Sequence, residues 1–379
     1  MKGIHDKYKS YKNWMKIIIL RLNVGDFGQI GSYNVQETGL ANALIKKGHE
    51  VNVVYLNRDV SAIMKDEVYD YVFYLPHLSI GLHGIFNVKM LDNFKAERLI
   101  LFSDNQFWAK NVIKWCNRNQ IVCIHYFGNV LSDNKAWLNQ CYTKLILCRN
   151  RKTYSHSINI AKTKKVKMEM DSLGVLCSKV INIGLDESLL QDCINPDNQI
   201  RNELGFQPDE IVILFVGRLI DYKKPMMACN ILMKLIEKGL KCKLVIIGKG
   251  RLENELQRYI VMNNLMESVT WITKVPYEEM YKYMVTCDCC INLSAKEIFG
   301  MTILEAMYYG APVVAHKAPG PDEIIEDGIS GYLCDFDDID RWVEKILNAI
   351  ENRDKISAGG RNRIRKSFMW DIIANGFLE

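Results

Sequence analysis

Short apolar runs recur along the chain and are separated by stretches with helical period. MKIIILRL (15–22) predicts a buried strand. The segment 35–47 follows with apolar positions at helical spacing and stops at Gly48, a residue suited to the left-handed turn that ends a helix. EVNVVYL (50–56), YDYVFYL (69–75), RLILFS (98–103) and IVCIHYF (121–127) extend the series of strands, and AKNVIKWCNRN (109–119) is a helix between the last two. Continuous apolar strands alternating with helices predict a parallel sheet built from βαβ units and covered on both faces.

The alternation breaks at a polar stretch, INPDNQIRNELGFQPDE (194–210), and then restarts. IVILFVG (211–217) is a strand, PMMACNILMKLIEKG (225–239) a helix with proline in its first turn, and KLVIIG (243–248) a strand. CDCCINLS (287–294), APVVA (311–315) and GYLCDF (331–336) are further strands. The fold class is therefore α/β, with two doubly wound domains. The expected boundaries are an extension over 1–14, a first domain over 15–185, a second over 186–360, and a C-terminal helix over 361–379 that packs back on the first. Ligands of such sheets bind beyond the carboxyl ends of the strands, so a cleft between the domains is the expected site.

Composition agrees with this picture. The 379 residues are 49% apolar and 25% charged, which suits a soluble chain with more than one core. No apolar run reaches the roughly 18 residues of a membrane helix. MKGIHDKYKSYKNW (1–14) has lysines but no apolar core, so a cytoplasmic protein is expected. Those residues are a disordered arm, a misassigned start or a basic-aromatic membrane contact. The 12 cysteines fall mostly in apolar runs and are expected to be reduced and buried. Cys287, Cys289 and Cys290 have the wrong spacing for a zinc knuckle, and no histidine lies nearby. The net charge of +5 does not call for nucleic acid. Basic residues do bunch between 141 and 170: Lys144, Arg149, Arg151, Lys152, Lys162, Lys164, Lys165 and Lys167 stand against Glu169. Such a run is either a solvated face or a surface that steers an anionic acceptor or rests on anionic lipid.

The chemistry concentrates in EIFGMTILEAM (297–307). Phe299-Gly300 precedes a helix whose first amides and dipole attract phosphate, and Gly300 admits a close backbone approach. Glu297 and Glu305 would repel that phosphate. A carboxylate pairs instead with vicinal hydroxyls, so Glu305 suits a ribose on one side of the phosphate and Glu297 a sugar on the other. Upstream, FVGRLIDYKKP (215–225) sets Arg218 and Lys223 after a strand, with Gly217 tightening the turn. Both cations suit a diphosphate, although Arg218 paired with a surface acid is the plainer alternative. Diol, diphosphate and diol together describe a nucleotide sugar.

With these motifs the C-terminal half resembles the family 4 retaining glycosyltransferases of the GT-B fold. The likeness rests on Gly217-Arg218-Leu219 with Lys223, Gly248-Lys249-Gly250, the glutamates 297 and 305, Gly310-Ala311-Pro312-Val313-Val314, and the turn from Gly320 to Gly331. Weaker likeness in the first half comes from Gly31, LANALIKKGHEV (40–51) and NIGLD (182–186), so it covers nearly all the chain after residue 14. The resemblance implies two Rossmann-like domains facing a central cleft and metal-independent transfer without a cofactor. It implies a UDP-sugar donor first and a GDP-sugar second, and a glycan or lipid-linked acceptor in surface polysaccharide synthesis. It implies peripheral contact with the inner face of the plasma membrane and a front-face route with retention. Arg218, Lys223, Glu297 and His125 form the implied catalytic set. Glu305, Gly217, Phe299, Gly300, Met301, Thr302, Gly31 and Gly248 form the implied donor site. His125 matches a family histidine that faces the reacting sugar; on its own residues it is equally a core histidine. Ser103 and Asp104 end a strand and are candidates to meet the acceptor. The chain departs from the family at Ser32 and at Lys224, where glycines are common.

Three rivals remain at this level. Paired carboxylates also serve glycosidases. Gly25, Gly28 and Gly31 hint at a dinucleotide site, but with the wrong spacing. An inactive nucleotide-sugar-binding protein is the alternative from another class.

Overall fold

A computed structural model describes residues 14–25, 36–131, 137–191, 198–335 and 337–379. Gly28, Gly31, Ser32 and the extension 1–13 lie outside the described residues. The chain divides into two compact units. One runs to Asp186 and takes in Ile373–Glu379; the other is Glu187–Ile372.

The first unit contains β1 (Lys16–Leu20), β2 (Glu50–Asn57), β3 (Met64–Lys65), β4 (Val72–Pro76), β5 (Leu78–Ile80), β6 (His83–Ile85), β7 (Arg98–Leu101), β8 (Val122–Phe127), β9 (Ile158–Ala161) and β10 (Lys179–Val180). Its helices are α1 (Gln36–Lys46), α2 (Ala109–Arg118), α3 (Trp137–Tyr154) and α4 (Lys164–Ser172). The main sheet has the order β10-β9-β8-β7-β1-β2-β4-β3, parallel except for β3 against β4. Ile17 to Leu20 are fully buried because this strand is central and covered on both faces. Strand order reverses between β1 and β7, which opens a crevice at their carboxyl ends. β5 and β6 form a separate hairpin. The βαβ reading omits it because Leu78, Ile80 and Leu82 are exposed and belong to no buried alternation.

The second unit repeats the plan. Its strands are β11 (Ile211–Val216), β12 (Cys242–Ile247), β13 (Val269–Ile272), β14 (Cys289–Asn292), β15 (Val313–His316) and β16 (Tyr332–Cys334). They form one parallel sheet, β13-β12-β11-β14-β15-β16, reversing between β11 and β14. The helices are α5 (Asn198–Glu203), α6 (Pro225–Glu237), α7 (Glu253–Met262), α8 (Met280–Thr286), α9 (Met301–Tyr309), α10 (Pro321–Ile324), α11 (Ile339–Glu351), α12 (Arg353–Ser367) and α13 (Trp370–Ile373). At the amino ends of β11 and β14, Asp288 accepts from Arg201 at 2.6 Å, Arg353 at 2.8 Å and the Val212 amide at 2.8 Å. Cys287, Cys289 and Cys290 are buried thiols at the start of β14.

The C-terminal segment divides differently from the single helix expected over 361–379. α12 belongs to the second unit: Ser357 Oγ donates to the Gly310 carbonyl at 2.7 Å, and the helix lies so close to Ile329 that a Cβ at Gly359 would meet its carbonyl oxygen at 2.2 Å. Ile373–Glu379 joins the first unit. There the Phe377 ring meets the Tyr126 ring edge-on at 5.1 Å, and the Arg98 guanidinium donates to the Phe377 carbonyl.

Candidate active site

In the second unit the predicted residues gather at the carboxyl ends of the strands flanking the switch point. β11 delivers Gly217 and Arg218, and β14 leads into Glu297. Two glycines let the turns after β11 and β12 pack backbone against backbone. A Cβ on Gly248, which has φ +148°, would lie 1.9 Å from the Gly217 carbonyl oxygen, and one on Gly250 would lie 2.4 Å from that of Leu219. The Leu219 amide donates to the Lys249 carbonyl at 3.0 Å and locks the two turns together.

Lys223 and Glu297 form an ion pair through Nζ and Oε2. Asn292 Nδ2 donates to the same oxygen at 3.2 Å. An ammonium has three donors, so this pairing leaves Lys223 able to serve a second anion. Arg218 is exposed, and its guanidinium donates to the Tyr222 hydroxyl at 2.7 Å. Among the described residues it pairs with no carboxylate.

Gly300 starts α9 in the left-handed region, with φ 101° and ψ 60°, and contributes no capping side chain. The first-turn amides of Met301 and Thr302 therefore face outward from the helix start without an intrahelical acceptor. Phe299 is tied down from behind: a Cβ on Gly320 would meet the Phe299 carbonyl oxygen at 1.8 Å, and the Gly320 amide donates to the Glu297 carbonyl at 3.0 Å. One turn into α9, Glu305 is only 7% exposed, and its Oε1 is buried with no hydrogen-bond partner. Burial pushes its carboxyl up to about 7, against a smaller downward pull from a Tyr277 hydrogen bond. A buried acceptor without a partner is unfavourable unless something else fills it. Asn292 and Tyr277 support the glutamates, yet neither stands at a spacing that sequence reasoning singles out.

The first-unit candidates are held differently. Ser103 Oγ accepts from the Leu22 amide at 2.8 Å, and Asp104 Oδ1 accepts from the amides of Gly128 and Asn129 at 2.8 Å each. Both tie together the ends of β1, β7 and β8. His125 was expected to face the reacting sugar, but it is 0% exposed and packed between the rings of Phe127 and Tyr154. Its Nε2 lies 2.6 Å from the Ser103 carbonyl, and burial lowers its pKa to about 4. It is a neutral core histidine that positions the end of β7. Sequence reasoning missed a polar cluster near the Phe102 and Tyr126 rings. Arg21 and Glu37 form an ion pair at the start of α1, and Lys162 donates to Gln36 Oε1 at 3.2 Å while lying over the Phe102 and Tyr126 rings. Predicted Gly31 lies outside the described residues. Among those residues there is no group of three metal-ligating side chains.

Residues 196–366 match the model of glycosyl transferases group 1. An uncharacterized glycosyltransferase of Methanocaldococcus jannaschii, MJ1607, is 24% identical over 91% of this chain and 92% of its own length. A second from that organism, MJ1178, is 29% identical over 53% of this chain and 57% of its own. The structure of Anabaena HepE in complex with UDP and glucose superimposes with a TM-score of 0.70 at 18% identity, covering 96% of this chain and 98% of that one. The second unit thus matches the glycosyl transferases group 1 model over residues 196–366, and the chain as a whole has the fold of the GT-B glycosyltransferases.

Proposed function

We propose that the protein is a retaining, metal-independent transferase that moves a sugar from a nucleotide-diphosphate sugar to a glycan or lipid-linked acceptor in surface polysaccharide synthesis. The observation that carries the donor reading is the buried, unpartnered Oε1 of Glu305 one turn inside the open start of α9. A ribose hydroxyl is the group that fits it. Arg218, Lys223 and the amides of Phe299 to Thr302 would hold the diphosphate, and Glu297 the donor sugar. A UDP-sugar is the first choice, in keeping with the UDP and glucose bound by HepE, and a GDP-sugar the second. As the sugar–oxygen bond breaks, charge grows on the leaving diphosphate. Fixed cations and amides stabilise that charge more than they stabilise the ground state. A lipid-linked acceptor would set the reaction in the cytoplasm at the inner face of the plasma membrane.

The test is thermal unfolding with UDP, GDP, ADP and CMP, on the wild type and on Glu305→Ala, followed by turnover with the matching nucleotide sugar. A ligand at 100 times its Kd should stabilise the wild type by about 2.7 kcal/mol and the variant far less. Equal stabilisation of both would remove Glu305 from the donor site. Binding without turnover on any acceptor would favour an inactive nucleotide-sugar-binding protein.

A further inference from the structure

An ordinary surface helix buries one apolar face and turns a polar one to water. α3 does not. Its inward residues, among them Ile146, Leu147 and Tyr154, are buried in the first unit. Its outward face carries large apolar side chains among its polar ones: Trp137 is 70% exposed, Leu138 63% and Leu145 69%. Leu138 and Leu145 are seven residues, two turns, apart on one side of the helix, with Trp137 next to Leu138, opposite the buried set. The β5–β6 hairpin adds Leu78, Ile80 and Leu82, all exposed. It abuts the same helix, with the His83 and Tyr142 rings 5.6 Å apart. Six large apolar side chains therefore stand in water on two adjoining elements, which is more than scattered surface residues account for.

The flank of this patch is cationic. Arg149, on the side of α3 that faces α2, lines a groove of about 510 Å³ with Lys89, Lys110, Lys114 and Arg118. The one carboxylate in its lining, Asp92, accepts from Trp115 Nε1 at 2.9 Å. Trp115 and Val88 provide apolar wall. Among the described residues Lys89, Lys114 and Arg118 have no acidic partner. Lys144, Arg151 and Lys152 on α3 are likewise exposed and unpaired. Exposed apolar side chains beside a row of unneutralised cations match the cross-section of an anionic bilayer, with acyl chains below and phosphate above. A second copy of the chain would bring the same cations against themselves, so charge disfavours it.

We infer that α3 and the β5–β6 hairpin dock the protein on an anionic lipid surface, with the outward leucines and Trp137 entering the interface and the Arg149 groove seating lipid phosphate. The inference gives the lipid-linked-acceptor reading its surface and rests on that reading for its purpose. Its test is separate, because vesicle binding requires neither donor nor acceptor.

The experiment is flotation of the full-length protein with vesicles of phosphatidylcholine alone or with 30% phosphatidylglycerol. Each arm is run at low and high salt, beside analytical ultracentrifugation without lipid. Wild type should float with the anionic vesicles only, and salt should weaken it. Leu138→Glu with Leu145→Glu should abolish flotation. Lys114→Ala with Arg118→Ala should lower partition roughly 30-fold, taking each cation near the surface at about fivefold. All four positions are exposed, and unchanged melting temperatures would verify the fold. Failure to float with anionic vesicles overturns the inference. So does flotation that both double variants retain, or a lipid-independent dimer dispersed by the leucine variant, which would make the patch a contact between copies.

Discussion

Lys223 and Glu297 are joined through Nζ and Oε2 across the ends of β11 and β14, the two strands between which the strand order of the second sheet reverses. Each side chain is 16% exposed, so neither charge is well solvated without the other. The pair fixes a cation beside the open start of α9 while leaving two of its three N–H donors outside the pair.

If Lys223 meets the leaving diphosphate, its loss should act on turnover. Lys223→Ala is expected to lower kcat by about 10²–10³ with a smaller change in KM, the size found for removing one preorganised stabilising group. Glu297→Gln should lower activity too. The double variant should fall well short of the product of the two effects, because the residues act as a unit. Strict additivity in steady-state kinetics, or a pure KM effect, would count against this role.

Glu305 gives a pH signature. Its folded carboxyl sits at about 7 against an ordinary 4.5, so the folded state keeps a proton that the unfolded state has lost. Its contribution therefore favours folding at low pH and declines as pH rises from about 4.5 to 7, by on the order of 3 kcal/mol. His125 runs the other way. Its folded pKa of about 4 against 6.5 makes stability decline as pH falls through that interval. The two slopes oppose each other between pH 4.5 and 6.5. Glu305→Gln should remove one of them, so urea unfolding across pH should show the variant gaining on wild type up to pH 7 and levelling beyond. Parallel pH curves would show that Glu305 is not held protonated.

The two turns that frame the site respond oppositely to small changes. Gly248→Ala forces a methyl onto the Gly217 carbonyl and should cost about 1–3 kcal/mol, with weaker nucleotide binding as Gly217 shifts. Lys224 sits in the left-handed region at φ 54°, where glycine is at ease. Lys224→Gly relieves about 1 kcal/mol of strain and loses only a largely exposed contact with Asp337, so a small net stabilisation is expected in the same urea assay. Destabilisation by Lys224→Gly would show that the Asp337 pair matters more than the backbone.

Much of the architecture was legible beforehand because buried parallel strands are written as unbroken apolar runs. Ile17–Leu20, Val212–Phe215 and Val313–Ala315 are strands for that reason. The Glu297, Gly300 and Glu305 cluster was legible because its members lie within nine residues, and local helix geometry sets their relation. The β5–β6 hairpin and α3 were not, since neither alternates between apolar and polar faces.

The sequence by itself determined two doubly wound sheets, the strand ends that carry the charged residues, and the turn that opens α9, all consequences of short-range periodicity and backbone chemistry. Only the tertiary structure decided which side chains are partnered. It sealed His125 between aromatic rings, engaged Ser103 and Asp104 with backbone amides, assigned α12 to the second unit, and left Glu305 Oε1 buried without a partner. Burial and pairing depend on residues far apart in the chain, brought together only when the sheet and its covering helices pack.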